Sequence, residues 1–302
     1  MISWPGRKTR QLDQLLRFVP DTIPDDCHLC EPFFGTGAFT FSLLDTCDRG
    51  AVFAAESCLP LNYWWSWMMA CPENMAEYMA DLREQYASAS EDRAVFDKLR
   101  DGWNERWSMN PEDCLTSAML WVLVYQSTNN LARFNKQGFY NQTWGRGRKV
   151  PNPVQVFDGR TCDTLRHLAE AVARGCFVTD FRDCLQQMQD RCEETIVYLD
   201  PPYILETGTY RTDCWGPDQL AQLMGWVEDM ECDGQWWLWT DYLSNGGTVH
   251  PYYETIRNHY RIYPLQRRKN SRPNGSSDSK EEVIIISSVV ADPDDDLPEV
   301  KL

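Results

Sequence analysis

The sequence predicts an open α/β fold interrupted by a helical insertion, and three observations predict it. Apolar runs of strand length recur at 28–34, 51–55, 176–179, 195–199 and 235–240, with helical periodicity before or after them. The run 195–199 stops at Asp200-Pro201-Pro202-Tyr203. Two prolines fix φ and remove two backbone donors, so the chain leaves the sheet there as a stiff arm. The run 28–34 enters Gly35-Thr36-Gly37 and continues as a helical pattern through Ala38, Phe39, Phe41, Leu43 and Leu44. Strand, glycine turn, helix lets backbone approach a ligand closely. Both motifs lie at the carboxyl ends of strands, where open α/β sheets bind their ligands.

The 302 residues can bury a large core, and 43% hydrophobic with 25% charged residues is ordinary for a soluble globular chain. No apolar run reaches the roughly 20 residues of a membrane span. The first ten residues lack the apolar core of a signal peptide. A cytoplasmic location is therefore expected, with the twelve cysteines as free thiols. Cys27-His28-Leu29-Cys30 has zinc-like spacing, but no second such pair follows, and no metal is expected. The net charge of −16 argues against general affinity for nucleic acid. Its distribution argues otherwise. No acid occurs between 114 and 157, where Arg133, Lys136, Arg146, Arg148 and Lys149 fall. None occurs between 255 and 277, where Arg257, Arg261, Arg267, Arg268, Lys269 and Arg272 fall. Two cationic segments in an acidic body read as a phosphate-binding track with salt-sensitive affinity.

Taken in order, the chain opens on Trp4-Pro5-Gly6-Arg7-Lys8, before Leu12, Leu15, Leu16 and Val19 at helical spacing. Lys8 at a helix start suits an anion shared with backbone N–H groups. Glu31, before the glycine turn, can meet a ligand amine. The second strand ends in Glu56, about 20 residues after the glycines, where a carboxylate suits a ribose diol. From 61 to 126 the pattern is mostly helical. Tyr63, Trp64, Trp65, Trp67 and Met68 read as core rather than as a stacking platform. Asn110-Pro111-Glu112 reads as a helix start. The stretch 127–146 is rich in asparagine, aromatics, glycine and cations, which read base edges, stack on bases and contact phosphates. The strand 176–179 ends in Asp180-Phe181, an acid and a ring that can grip a purine. Residues 204–215 read as a loop over the site, Pro217 starts a helix, and 260–265 and 282–290 are a final strand pair. The linker 266–280 is basic, then rich in Ser, Gly and Asn, and 292–302 is an acidic tail.

These motifs, in this order, resemble the Dam-type N6-adenine DNA methyltransferases. The anchors are Trp4-Pro5-Gly6-Arg7-Lys8, Glu31-Pro32-Phe33-Phe34-Gly35-Thr36-Gly37, Arg133-Phe134-Asn135-Lys136-Gln137-Gly138-Phe139-Tyr140-Asn141 and Asp200-Pro201-Pro202-Tyr203, with Arg267-Arg268 and Asn274-Gly275-Ser276 also fitting. The resemblance implies a Rossmann-like class I methyltransferase sheet, doubly wound and mostly parallel with one antiparallel strand, and an inserted, mainly helical target-recognition domain. The expected catalytic domain is 1–60 with 154–291, the recognition domain 61–153, and the tail 292–302. It implies S-adenosylmethionine as cofactor, with Trp4 and Lys8 beside it, Phe34, Gly35, Thr36 and Gly37 around its methionine part, Glu56 on its ribose, and Asp180 and Phe181 on its adenine. Glu31 and Asp200 are also expected near it. Arg133 matches a residue that contacts a target base, with Leu131 beside it. Asn129, Lys136, Asn141, Arg146, Arg267 and Arg268 are expected further DNA contacts. Arg7 replaces the second glycine of the family's Gly-Gly-Lys, and Glu56 replaces an aspartate. Thr128 and Thr143 replace an aromatic residue and a proline of the DNA-contacting loop, so no target sequence is carried over.

The implied chemistry is methyl transfer to N6 of a flipped adenine in double-stranded DNA by a monomer with no obligate protein partner. Asp200 and the Pro201 carbonyl accept the amine hydrogens, Pro202 stiffens the arm and Tyr203 stacks on the base. The same amine chemistry serves N4 of cytosine, and RNA is an alternative substrate. A DNA- and cofactor-binding protein without turnover is the reading from another class.

Overall fold

The structure is a computed structural model that describes residues 2–4, 6, 8–191, 194–206, 215–265 and 280–291. The chain forms two compact units, Lys8–Ala55 with Arg174–Leu302, and Met1–Arg7 with Glu56–Ala173. Most of the loop expected at 204–215, the basic linker with Arg267 and Arg268, and the acidic tail lie outside the described residues.

The first unit is the α/β one. Its strands are β1 (His28–Glu31), β2 (Val52–Ala55), β3 (Cys176–Val178), β4 (Thr195–Leu199), β5 (Trp237–Asn245), β6 (Thr248–Val249), β7 (Arg261–Pro264) and β8 (Glu281–Ile286). They form one sheet in the order β3-β2-β1-β4-β5-β8-β7, with β6 paired to β5. The pairs from β3 to β5 are parallel. β8 runs antiparallel between β5 and the edge strand β7, and the short β6 adds a second antiparallel pairing to β5. Every residue of β2 and β4 is buried, as parallel strands covered on both faces require. The order reverses between β1 and β4, which are paired through Leu29↔Ile196 and Cys30↔Val197. A ligand crevice is expected outside the carboxyl ends of those two strands, where Glu31 and Asp200 stand.

The strand bounds differ most from the sequence reading at β1, β5 and β8, the last of which ends at Ile286 rather than at 290. β1 stops at Glu31 rather than running to Phe34, because Pro32 has no N–H to continue the ladder. β5 runs on past residue 240 to Asn245, then turns onto β6 through Gly246 and Gly247, whose φ values are 59° and 84°. That is a hairpin turn only glycine makes freely, and Asn-Gly-Gly signals it.

The second unit is helical. The helix Cys114–Gln126 is buried on nearly every side, so it has no solvent face to present. It lies against the helices Leu59–Ala70, Pro72–Gln85 and Arg93–Met109. Trp64, Trp65 and Met68 are fully buried, which confirms them as core. Tyr63 and Trp67 are only half-buried, and the Trp67 indole donates to the Glu112 carbonyl at 2.8 Å. Among the described residues no helix is long and apolar enough to cross a membrane.

The helix start read at Asn110 is corrected by the structure. Asn110 closes the preceding helix, and Asp113 is the N-cap of Cys114–Gln126. The Asp113 carboxylate accepts the Thr116 N–H at 3.2 Å and pairs with Arg106 at 2.5 Å. A charged cap with a cationic partner satisfies the open helix end better than a neutral amide would. Asp113→Ala should therefore lower unfolding stability by about 1–2 kcal/mol, and Asn110→Ala by less than about 0.5 kcal/mol. Chemical denaturation of both variants checks this, and equal losses would restore Asn110 as the cap.

Candidate functional site

The α/β unit gathers its polar groups at the end of β4. Asp200 follows the buried strand directly, and Pro201-Pro202 lead the chain away. The Asp200 Oδ1 accepts from Lys8 Nζ at 2.5 Å and from Thr240 Oγ1 at 2.8 Å. The Lys8 and Asp200 side chains are only 9% and 16% exposed. Lys8 also lies over the Tyr203 ring, 4.8 Å from its centroid. The Tyr203 hydroxyl donates to Glu282 Oε1 at 3.0 Å, and its ring meets Tyr242 edge-on. Burial, followed by the Asp200 charge, pushes the Tyr203 phenol well above its ordinary range, so it keeps its proton and stays a donor. Lys8, which opens the short helical turn Lys8–Arg10 as read, thus already has a carboxylate as its partner.

Glu31 closes β1 and is also buried. Its Oε2 accepts the Thr40 N–H at 3.0 Å and the Thr40 hydroxyl at 2.5 Å. Burial raises its carboxyl from 4.5 to about 8, against the Thr40 hydrogen bonds that lower it. Beyond it, Phe34, Thr36 and Gly37 are tightly turned, with the Gly37 N–H on the Phe34 carbonyl at 2.6 Å. Gly37 has φ 63°, and a Cβ there would stand 2.5 Å from the Phe34 ring. Gly35 has φ 50°, and a Cβ would meet nothing within 4 Å. The turn therefore requires glycine at 37 for packing and leaves space beside the Gly35 Cα.

Asp180 and Phe181 follow β3 as read, with duties inside the fold. Asp180 caps the helix Phe181–Gln189 by accepting the Arg182 N–H at 2.9 Å. Its carboxylate also pairs with the Arg182 guanidinium, which holds it below the usual carboxylate range. Phe181 is buried, stacks on Phe33 at 5.3 Å and meets Trp215 edge-on. Phe33 and Trp215 complete a ring cluster that the residue-by-residue reading passed over.

The remaining expected site residues among those described belong to the helical unit. Trp4 has its ring 6.4 Å from Phe134. Glu56 is buried and accepts the Cys58 N–H at 2.7 Å. The stretch after Gln126 is an ordered loop with a hairpin inside it. Phe134 and Tyr140 are bridged, and the Asn141 N–H reaches the Arg133 carbonyl at 2.9 Å. Tyr140 anchors the hairpin. It is buried, with its hydroxyl 2.7 Å from Ser127 Oγ and its backbone N–H on Asn104 Oδ1 at 2.7 Å. Trp103 packs on both Phe134 and Tyr140. The floor is apolar, and the rim carries Asn129, Arg133, Lys136, Asn141 and Arg146 exposed to solvent, with Leu131 half-buried. Asn129 and Asn130 both have positive φ, a conformation asparagine tolerates better than most residues. The second cationic segment is different where it is described. Arg257 pairs with Glu281 at 2.9 Å and stacks on Tyr253. Arg261 donates to the Ser287 carbonyl at 3.1 Å. Arg257 thus ties the helix Tyr253–His259 to β8, and Arg261 ties the start of β7 to the segment after β8, so both are engaged inside the fold rather than set out along the phosphate track read for them.

The positioning partners Thr240, Glu282 and Thr40 were not legible as site residues. Thr240 and Glu282 lie on strands distant in sequence from Asp200 and Tyr203, and Thr40, though only nine residues from Glu31, reaches it only once the glycine turn folds the helix back. The Leu199↔Trp239 register, which sets Thr240 beside Asp200, appears only once the sheet is assembled.

Comparison with known proteins identifies the family. A family model described as D12 class N6 adenine-specific DNA methyltransferase matches residues 4–222. The chain is 27% identical over 209 residues to "Type II methyltransferase M.MjaIII" of Methanocaldococcus jannaschii, covering 67% of this chain and 68% of that protein. It is 25% identical over 229 residues to "DNA adenine methylase" of Escherichia coli K12, covering 74% and 73%. It is 23% identical over 290 residues to "Retron Ec67 DNA adenine methylase" of Escherichia coli, covering 95% and 90%.

The raised Glu31 carboxyl has a stability consequence. In the unfolded chain it ionises near 4.5, in the fold near 8. Its contribution to stability is full below the lower value and is lost as pH rises through the upper one, at up to about 1.4 kcal/mol per pH unit. Glu31→Gln keeps an oxygen acceptor for Thr40 and removes the titration. Its melting temperature should rise relative to wild type between pH 5 and 8 and then level off. A difference independent of pH would show that Glu31 is ionised in the fold.

Proposed function

The chain belongs to the D12 class of N6 adenine-specific DNA methyltransferases, and from that premise we propose that Asp200, Pro201 and Tyr203 hold the target adenine. The amine nitrogen of adenine is a poor nucleophile because its lone pair is delocalised into the ring. Asp200 accepts one N6 hydrogen and the Pro201 carbonyl the other, which favours the pyramidal amine and stabilises the positive charge that develops on nitrogen. The prolines keep both acceptors in place, so little reorganisation is needed during the reaction. Tyr203 stacks on the base, which leaves the duplex to reach the site. Lys8 now contacts both the carboxylate and the ring, and it yields to the base as the base enters.

S-adenosylmethionine is the cofactor in this reading and supplies an electrophilic methyl group on a sulfonium centre. The chemistry of the donor set supports the fit. Glu31 is a buried carboxyl whose ionised form can meet the amino group, and the space beside the Gly35 Cα leaves room for the methionine part. Glu56 takes the ribose hydroxyls. Phe181 lines the adenine, whereas Asp180 must share its carboxylate with Arg182. Arg133, Lys136, Asn141 and Arg146 on the anchored hairpin, with Asn129 and Leu131 beside it, read double-stranded DNA. A monomer working in the cytoplasm, without a required protein partner, completes the proposal.

The observation that carries it is a largely covered, doubly hydrogen-bonded Asp200 between a strand end and two prolines, at the reversal of the sheet. The test is to incubate mixed-sequence double-stranded DNA with S-adenosylmethionine and analyse nucleosides by mass spectrometry. N6-methyladenine is expected, while N4-methylcytosine as the product would overturn the base assignment. Asp200→Ala should abolish product while cofactor binding persists, and wild-type turnover in that variant would remove Asp200 from the mechanism. Arg133→Ala should lower discrimination at one base of the target by about 10- to 100-fold and change binding to random DNA little. Single-molecule sequencing of the methylated sites reads that loss, and an unchanged motif would exclude Arg133 from base reading.

A further inference from the structure

A short chain of buried hydroxyls stands behind the reacting carboxylate. Thr240 is fully buried on β5, beside the first residue after β4 in the β4–β5 register. Its hydroxyl is 2.8 Å from Asp200 Oδ1 and 3.2 Å from the Tyr198 hydroxyl. A threonine hydroxyl has one hydrogen, and an ionised carboxylate can only accept. The Thr240 hydrogen therefore goes to Asp200, and Tyr198 donates to Thr240. Tyr198 is 1% exposed and stacks on Phe39 at 4.5 Å. Burial pushes its phenol well above the ordinary range, so the chain keeps one direction, from Tyr198 through Thr240 to Asp200.

We propose that Thr240 is a positioning residue that selects which oxygen of Asp200 meets the substrate amine. Lys8 and Thr240 both donate to Oδ1. Among the described residues no hydrogen bond is given to Oδ2. Two donors arriving on one oxygen fix the rotation of the carboxylate and leave the other oxygen for the N6 hydrogen. When the base displaces Lys8, Thr240 is the donor that remains, held by Tyr198 from behind. A carboxylate released from this tether turns about its side-chain bonds, and its acceptor leaves the line of the amine. This inference rests on Asp200 as the acceptor of an N6 hydrogen.

The test compares wild type, Thr240→Val and Thr240→Ser for N6-methyladenine formation, with thermal melting and S-adenosylmethionine binding as controls for the fold. Thr240→Val keeps the shape and removes the donor. Its kcat should fall by about 10- to 100-fold, with KM for DNA and for cofactor within about threefold of wild type. Thr240→Ser restores the hydroxyl and should return kcat to within about threefold of wild type. A residue that merely packs the strand would not be rescued by serine, which loses the methyl group. If valine prevents folding, Thr240→Ala carries the same comparison. Wild-type kcat in the folded valine or alanine variant, or a serine variant no better than it, overturns the role of Thr240 while leaving the methyltransferase assignment intact. A wild-type enzyme that leaves adenine unmethylated overturns the reading of Asp200 and this inference with it.

Discussion

The contact between Lys8 and Asp200 is the constraint around which the α/β unit arranges its polar groups. An ammonium and a carboxylate, both nearly buried, are tolerable only because they neutralise each other and find further hydrogen bonds. Thr240 supplies one of those bonds and the Tyr203 ring supplies a face for the ammonium. Tyr203 is held in turn by Glu282, so the sequence-distant strands β4, β5 and β8 each contribute a group to one cluster. The pair also ties the beginning of this unit to the end of its central strand. Its value is geometric more than energetic. An ion pair in such a place contributes little net stability, and removing one partner leaves an uncompensated charge.

How much of this could be read in advance depended on the range of the signal. The end of β4 and the start of the helix Pro217–Cys232 were legible to the residue because prolines mark both. Gly35 and Gly37 were legible because a glycine in a turn after an apolar run has few other uses, and both have positive φ. Asp113 was missed in favour of Asn110-Pro111 because both match the same local cap pattern. The choice was made by Arg106, a residue on another helix. Arg257 and Arg261 were misread for a related reason. Charge along a sequence does not reveal that Glu281 and the Ser287 carbonyl stand across from them. Local rules found the strand ends and turns, whereas pairings that need an assembled sheet or bundle could not be seen.

The hairpin after Gln126 shows how an acidic protein can present cations to an anionic polymer. Its aromatic residues Phe134 and Tyr140 pack on Trp103 of the helix Arg93–Met109, and the Tyr140 hydroxyl is used within the fold. The aromatic residues that suggested base stacking are thus partly structural. What remains on the surface is a set of cations and amides on a rigid turn, free of acidic neighbours in sequence over 115–157 except beyond its ends. A net charge of −16 opposes binding at long range, but screening shortens that reach to about 8 Å at physiological salt. At contact distance the local cations therefore decide whether a phosphate is welcome, and the acidic body limits how long a non-specific complex lasts.

In the proposed reaction the same logic explains how the largely covered Asp200 can wait for its substrate. A carboxylate and an aromatic face that await an amine would be poorly solvated if left bare. Here they are met by Lys8, which brings N–H donors to the first and a cation to the second. An adenine amine offers donors to the same carboxylate, and its ring offers a surface to the same tyrosine. Exchange of one for the other replaces like with like at Asp200. The cost falls on Lys8, whose charge must find another partner when it leaves. The hydroxyl of Thr240, which carries no charge and belongs to the sheet, is the group able to remain through that exchange. The carboxylate is thus oriented by a fixed neutral donor and neutralised by a displaceable charged one, a division of roles that lets the site be both closed and accessible.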